Sequence, residues 1–240
     1  MSKAGAGDGE RRLGVRLRSA RKRTLSQQLW LQRQLNDPYV ARAKREGYRS
    51  RAAFKLAEID EKHHLLKPGQ RIVDLGCAPG GWLQVAARKI GLERGKGAIV
   101  GIDLLPVEPM AGVTLLEMDF MAEDAPGKLK AALGGGADLV LSDMAANTTG
   151  HKKTDHLKII GLAEAAVAFA AEVLNPGGAF LTKLFQGGDT AHLVTELKRD
   201  NATVRHIKPA ASRADSSELY VLATGFRRKA APQGEAGSAE

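Results

Sequence analysis

Apolar positions along the chain follow two alternating rhythms. Short aliphatic and β-branched runs predict strands near 71–76, 98–105, 113–120, 137–144, 179–185, 203–209 and 219–226. Between several of these runs apolar residues recur at spacings of three and four, as in Leu162, Ala165, Ala166 and Phe169. That rhythm predicts helices around 50–62, 81–91, 155–174 and 189–200. Strands alternating with helices imply a mostly parallel sheet covered on both faces, so the pattern predicts an α/β, doubly wound, seven-stranded, Rossmann-like fold. The last two strands are joined only by 209–218, too short for a crossover helix, so one of them should run antiparallel to its neighbour. A ligand of such a sheet is expected beyond the carboxyl ends of the strands.

The periodic region, 48–226, reads as one domain. Before it lies an arm, 1–47, whose first 25 residues are rich in Gly, Ala and Arg and show no sustained periodicity; 227–240 has the same character. Both ends read as mobile, partly disordered tails.

Charge sharpens that division. The 240 residues carry 36 Lys+Arg and 27 Asp+Glu, a formal +9. Residues 1–51 hold 14 of the basic and 4 of the acidic residues, so the arm is strongly basic and the remainder close to neutral. A polyanion is the natural partner of such an arm. An apolar content of 43% excludes disorder of the whole chain. No run approaches the roughly 18 apolar residues that read as a membrane span. The Arg-dense start lacks the apolar stretch of a secretory signal, and Asp8 and Glu10 argue against a mitochondrial transit peptide. The expectation is a cytoplasmic protein. A single cysteine, Cys77, permits neither an internal disulfide nor a cysteine zinc cluster, and the six histidines show no metal-binding spacing. No metal is expected, and nothing in the chain demands more than a monomer.

The most informative segment is Asp74-Leu75-Gly76-Cys77-Ala78-Pro79-Gly80-Gly81-Trp82, a strand running into a glycine-rich turn that opens a helix. Its G-x-x-x-G-G spacing is neither the dinucleotide fingerprint nor the phosphate loop, which disfavours pyrophosphate recognition. Asp103 ends the second strand, where a carboxylate can accept from both ribose hydroxyls of a nucleoside. Asp119, after the third strand, can accept from an adenine amino group. A nucleoside without phosphate suggests S-adenosylmethionine. Cys77 reads as a small thiol packed in the loop, whereas Trp82 fits either the core or a wall of the cofactor pocket.

With these residues in view, the chain resembles the FtsJ-like (RrmJ/RlmE) ribosomal RNA large-subunit 2′-O-ribose methyltransferases. The resemblance spans about Trp30 to Phe226. Its carriers are Gly47-Tyr48-Arg49-Ser50-Arg51-Ala52-Ala53-Phe54-Lys55-Leu56, the glycine loop, Asp103-Leu104-Leu105-Pro106, Ser142-Asp143-Met144-Ala145, Lys183-Leu184-Phe185-Gln186-Gly187, Lys208-Pro209 with Ser212-Arg213, and Ser217-Glu218-Leu219-Tyr220. The resemblance implies a class I S-adenosylmethionine-dependent methyltransferase whose Lys-Asp-Lys-Glu tetrad falls on Lys55, Asp143, Lys183 and Glu218. It places cofactor contacts on Gly80, Trp82, Asp103, Asp119 and Asp143. The implied substrate is a uridine ribose of ribosomal RNA in the assembled large subunit, with transfer RNA, messenger RNA caps or a non-catalytic assembly role as alternatives.

Residue chemistry supports parts of this independently. In Ala179-Phe180-Leu181-Thr182-Lys183-Leu184-Phe185 a lysine interrupts an apolar strand, where burial and a neighbouring cation disfavour its charged form. A fall from about 10.4 to roughly 7–8 would make Lys183 a competent general base for a ribose hydroxyl. Lys55 is the obvious second cation, projecting off the apolar face formed by Ala52, Leu56 and Ile59. Asp143 can orient Lys183 and face the sulfonium, and Glu218 can hold an ammonium or the hydroxyl in line. Each also has a plainer role open to it: Lys55 pairing with Glu58, Lys183 guarding a sheet edge, Asp143 capping a helix, Glu218 starting a solvated strand. Among other acceptors, amine methylation would call for Asn/Asp-Pro-Pro-aromatic where Asp143-Met144-Ala145-Ala146 stands. Pyrimidine C5 methylation needs a cysteine nucleophile, and Cys77 lies in the cofactor loop. The arm and Tyr48-Arg49-Ser50-Arg51 can meet phosphates, which position RNA without reading its sequence.

Overall fold

The computed structural model describes residues 24–145, 152–185 and 190–227. The expected tails, 1–25 and 227–240, lie outside them except for Thr24 and Leu25, which begin a helix, and Arg227. Seven strands form one sheet: β1 (Arg71–Leu75), β2 (Ala98–Asp103), β3 (Val113–Glu117), β4 (Ala137–Ser142), β5 (Leu174–Phe185), β6 (Asn201–Ile207) and β7 (Glu218–Phe226), in the order β3-β2-β1-β4-β5-β7-β6. Strands β1 to β5 pair in parallel, whereas β7 runs antiparallel to both β5 and β6. The antiparallel hairpin is the one expected from the short 209–218 connection.

Alternating side chains divide the core between the two faces. Ile72, Leu139, Leu181 and Leu222 pack under helices α3 (Ala52–His63) and α4 (Gly81–Ile90), through Leu56, Ile59, Leu83 and Ile90. Val73, Val140, Phe180 and Ala223 pack under α5 (Ala125–Leu133), α6 (Lys152–Val173) and α7 (Ala191–Asp200), through Leu129, Ala166, Phe169 and Leu197. The predicted strip on α6 is thus a core face, with Ala166 and Phe169 buried at its centre.

Three helices escape the sequence pattern. Helix α1 (Leu25–Asn36) is capped by Thr24 and Gln27, whose side chains bond each other's backbone N–H, but Leu25, Leu29 and Leu35 remain exposed, so no regular apolar stripe marks it. Helix α2 (Pro38–Glu46) starts at Asp37, which caps Tyr39 N–H, and ends at Gly47 in the left-handed conformation. In α5 the Pro126-Gly127 pair looks like a turn, yet proline in a first helical turn loses nothing, because that N–H has no helical partner. Strand β5 begins five residues before its predicted start. Leu174 already pairs with Ala137, and a register shift across Asn175-Pro176-Gly177-Gly178 separates that pair from the regular ladder.

The chain winds outward from β1 to β3 and then returns to place β4 on the other side of β1. This reversal makes the carboxyl ends of β1 and β4 the topological switch point, where open α/β sheets bind ligands in a crevice between the loops. Among the described residues no helix is long and apolar enough to cross a membrane.

Candidate active site

The glycine loop leaves β1 directly into this crevice. Gly76 has φ of 77°, and a Cβ there would lie 2.7 Å from the Met144 side chain and 2.9 Å from its Cα, so only glycine lets the loops after β1 and β4 come this close. At Gly81 a Cβ would stand 2.4 Å from Ser50 Oγ, which is how α4 can start against the beginning of α3. Cys77 is buried, and its thiol is pushed far above its ordinary range, first by burial and then by the charges of Asp74 and Asp103. A thiol held protonated is a poor nucleophile.

Three carboxyl groups surround this loop. Asp103 accepts from the backbone N–H of Ala78 and of Leu105, both at 2.9 Å, and so ties the loop to the end of β2. Each of its oxygens keeps a further acceptor position. Asp74 is fully buried, and neither of its oxygens has a hydrogen-bond partner among the described residues. Burial first, then the charges of Asp143 and Asp103, raises its carboxyl well above the usual range. Further out, Asp119 accepts from Met121 N–H at 2.9 Å. Beside Asp103 and Asp119 the side chains of Leu104, Leu105 and Met121 are exposed. Their apolar surface can flank a flat ring; Leu104 and Leu105, expected inside the strand 98–105, instead follow its end at Asp103.

Trp82 is 3% exposed. Its indole N–H donates to Ala52 O at 2.9 Å and its ring lies 5.7 Å from that of Tyr220. Of the two roles open to it, the indole takes the core. Its backbone belongs to the first turn of α4, where N–H groups lack helical acceptors.

On the same face of the sheet the four tetrad positions converge. Glu218 Oε1 is 2.6 Å from Lys55 Nζ; Lys55 Nζ donates to the Tyr220 hydroxyl at 3.2 Å; that hydroxyl donates to Asp143 Oδ1 at 2.8 Å. Asp143 Oδ1 is in turn 3.1 Å from Lys183 Nζ, which also donates to Asp143 O at 2.7 Å. Lys183 and Tyr220 are direct partners in the β5–β7 ladder, which sets their side chains next to each other. Lys183 is not an edge charge, since β5 lies between β4 and β7. Lys55 pairs with Glu218 and not with Glu58, which accepts from Tyr39 hydroxyl and Ala211 N–H. The second cation therefore reaches Lys183 only through Tyr220 and Asp143, and the immediate neighbour of the Lys183 ammonium is an anion.

Tyr220 is the member of this relay that sequence reasoning passed over. Its phenol is raised well above the usual range, by burial first and then by Asp143 and Glu218, so it remains a neutral donor. The available signal was alternation: Glu218 and Tyr220 are two apart on one strand and must share a face. Gln186 and Gly187, and Ala146 after β4, lie outside the described residues.

The arginines of Tyr48-Arg49-Ser50-Arg51 are largely engaged by the protein itself. Arg49 donates to the carbonyls of Glu108 and Pro109, at 2.8 and 3.1 Å. Arg51 donates to Ala211 O and is paired with Asp37 at 3.1 Å. Among the described residues no group of three or more His, Cys, Asp or Glu could hold a metal ion.

Residues 48–226 match the model of the family described as FtsJ-like methyltransferase. The chain is 70% identical over 220 residues to the "Ribosomal RNA large subunit methyltransferase E" of Xanthobacter autotrophicus, covering 92% of this chain and 87% of that one. A crystallised Plasmodium falciparum protein assigned as a ribosomal RNA methyltransferase superposes with a TM-score of 0.67 at 32% identity, over 76% of this chain and 100% of its own. Aeropyrum pernix fibrillarin, solved with S-adenosyl-L-methionine bound, shares the fold at a TM-score of 0.51 and 20% identity, over 74% and 75% of the two chains.

Proposed function

The chain belongs to the FtsJ-like methyltransferase family, and from that membership we propose that it transfers a methyl group from S-adenosylmethionine to the ribose 2′-hydroxyl of a uridine in 23S ribosomal RNA, within the assembled large subunit. The observation that carries this reading is the continuous relay Glu218, Lys55, Tyr220, Asp143, Lys183 at the mouth of the β1–β4 crevice.

The crevice suits the cofactor. Gly80, Trp82, Asp103, Asp119 and Asp143 would hold it, with the unpartnered carboxyl of Asp74 behind the loop and acidic groups favouring a cation. When bound, S-adenosylmethionine supplies a methyl group on a positively charged sulfur. The residues of the chain do the rest. Lys183 is the general base that takes the proton of the ribose hydroxyl. Asp143 fixes the Lys183 amine from two directions, and Tyr220 fixes the Asp143 oxygen that faces it. Lys55, held by Glu218, adds positive potential where the ribose oxygen becomes anionic. Most of the rate gain is ascribed to holding oxygen and methyl in line.

A ribosomal partner is supported by the basic arm, whose phosphate contacts would add affinity without base selection. We place this activity in the cytoplasm and in a monomer. The deciding experiment incubates the protein with labelled S-adenosylmethionine and large subunits lacking the modification, beside naked 23S RNA and transfer RNA. An alkali-resistant labelled dinucleotide from large subunits is the expected product. Label in transfer RNA alone would move the substrate, and no label in any RNA would favour a non-catalytic assembly role.

A further inference from the structure

Asp37 precedes the family-matched segment, yet it is 9% exposed and sits where three parts of the chain meet. As the cap of α2 it accepts from Tyr39 N–H at 3.0 Å. Its Oδ2 also accepts from Arg213 Nε and Nη2, at 3.3 and 3.2 Å, and lies 3.1 Å from Arg51 Nε. One carboxylate thus gathers two guanidinium groups, from the residue before α3 and from the connection between β6 and β7.

Those two segments supply the two ends of the Lys55–Glu218 ion pair. Arg51 is one helical turn before Lys55, and Arg213 is five residues before Glu218. The connection, 208–217, contains no helix or strand of its own, and its shape depends on such ties. Arg51 donates to Ala211 O, and Glu58 on α3 accepts from Ala211 N–H at 2.8 Å. Ser216 N–H donates to Arg213 O at 3.1 Å, Lys208 Nζ to Ser216 O at 2.8 Å, and Glu218 N–H to Ser216 Oγ at 3.2 Å. A bonded path therefore runs from the Asp37 carboxylate to the backbone of Glu218. Charge-assisted pairs of this kind hold geometry better than neutral ones, and removing the anion would leave two guanidinium groups, the largely buried Arg51 and the more open Arg213, side by side without their shared partner.

We propose that Asp37 is a positioning residue for methyl transfer: by clamping Arg51 and Arg213 it fixes the β6–β7 connection against α3, aligns Glu218 with Lys55, and makes helix α2 part of the catalytic framework. The proposal rests on the methyltransferase reading for its rate effect, whereas the clamp itself stands on geometry. It gives the arm a role other than attraction of RNA.

The test uses the full chain with Asp37→Asn, because asparagine caps a helix as well as aspartate and removes only the charge. Arg213→Gln, at a more exposed position, breaks the same clamp from its other side. Either substitution should speed hydrogen exchange in 208–217. Each should lower the single-turnover rate at saturating RNA by about 10- to 100-fold, the scale of loss from misplaced reacting groups, with unchanged affinity for S-adenosylhomocysteine. In a Glu218→Gln background the same substitutions should change that rate by less than about twofold, because the alignment they disturb has already been removed. Unchanged exchange in 208–217 overturns the clamp, whether or not the protein methylates RNA. A full additional loss in the Glu218→Gln background, or a loss confined to RNA affinity with the saturating rate intact, overturns the positioning role. If the unaltered protein methylates no RNA, the functional reading fails while the exchange result still decides the clamp.

Discussion

Lys183 meets Asp143 twice, through a 3.1 Å ion pair to its carboxylate and a 2.7 Å hydrogen bond to its backbone carbonyl. Both atoms belong to the residue that follows the end of β4, so the amine is oriented by backbone as well as by charge. The lysine side chain is only 7% exposed, which leaves it little freedom to adopt another position.

Replacing Lys183 by methionine preserves the buried stem and removes the amine. Methyl transfer should fall by about 10²- to 10⁴-fold, the range ascribed to general acid–base catalysis. Arginine should not rescue it, because a guanidinium does not give up its proton in a protein. Single-turnover kinetics beside calorimetric binding of S-adenosylhomocysteine separates the step from cofactor affinity, which should stay within about twofold of the unaltered protein.

Tyr220→Phe deletes the one hydroxyl that joins the two halves of the relay. Lys55 keeps Glu218 and Asp143 keeps Lys183, so the fold should survive with a loss of about 1–3 kcal/mol, the cost of buried polar partners left unmade. The rate should fall more than the affinity for RNA or cofactor. Denaturant unfolding and the split between kcat and KM measure the two effects.

Asp74 should make stability depend on pH in an unusual direction. Its carboxyl is raised well above the ordinary 3.8 by burial and by Asp143 and Asp103. Between 3.8 and the raised value the native protein keeps a proton that the unfolded chain has lost, so stability falls as pH rises through that window. Asp74→Asn cannot ionise and should lack this fall. Thermal unfolding of both proteins from pH 4 to 8 should show curves that start close together and separate in favour of the variant. Parallel curves would show that the carboxyl finds compensation in the fold.

Residues 1–23 hold eight of the basic side chains. Their removal should weaken RNA binding and flatten its dependence on salt, since fewer counterions are released, while cofactor affinity stays constant. Filter binding at several salt concentrations, with cofactor titration in parallel, checks both halves. Equal loss of the two affinities would mean that arm and crevice do not divide the work in this way.

Much of the architecture was legible because its causes are local. Strand and helix periods report which face of each element is buried, and a run of glycines after an apolar strand reports a close backbone approach. A lysine inside Phe180-Leu181-Thr182-Lys183-Leu184 is conspicuous for the same reason. Helices α1, α2 and α5 were missed where that logic weakens: the first two are ordered by caps and docking, and in α5 Pro126-Gly127 has the look of a turn.

By itself, then, the sequence determined the seven strands and four of the helices between them, the antiparallel end of the sheet, the glycine loop and the residues Lys55, Asp143, Lys183 and Glu218 as a candidate set. Only the tertiary structure decided who partners whom. It gave Lys55 to Glu218 in place of Glu58, put Tyr220 between Lys55 and Asp143, turned the Trp82 indole into the core, left both oxygens of Asp74 without partners, and drew Arg51 and Arg213 onto Asp37. The physical reason is range. Conformation and burial follow from neighbours three or four residues away, whereas hydrogen-bond partners are set by which strands and loops the sheet order brings together, and β5 meets β7 across 37 positions of chain between Lys183 and Tyr220.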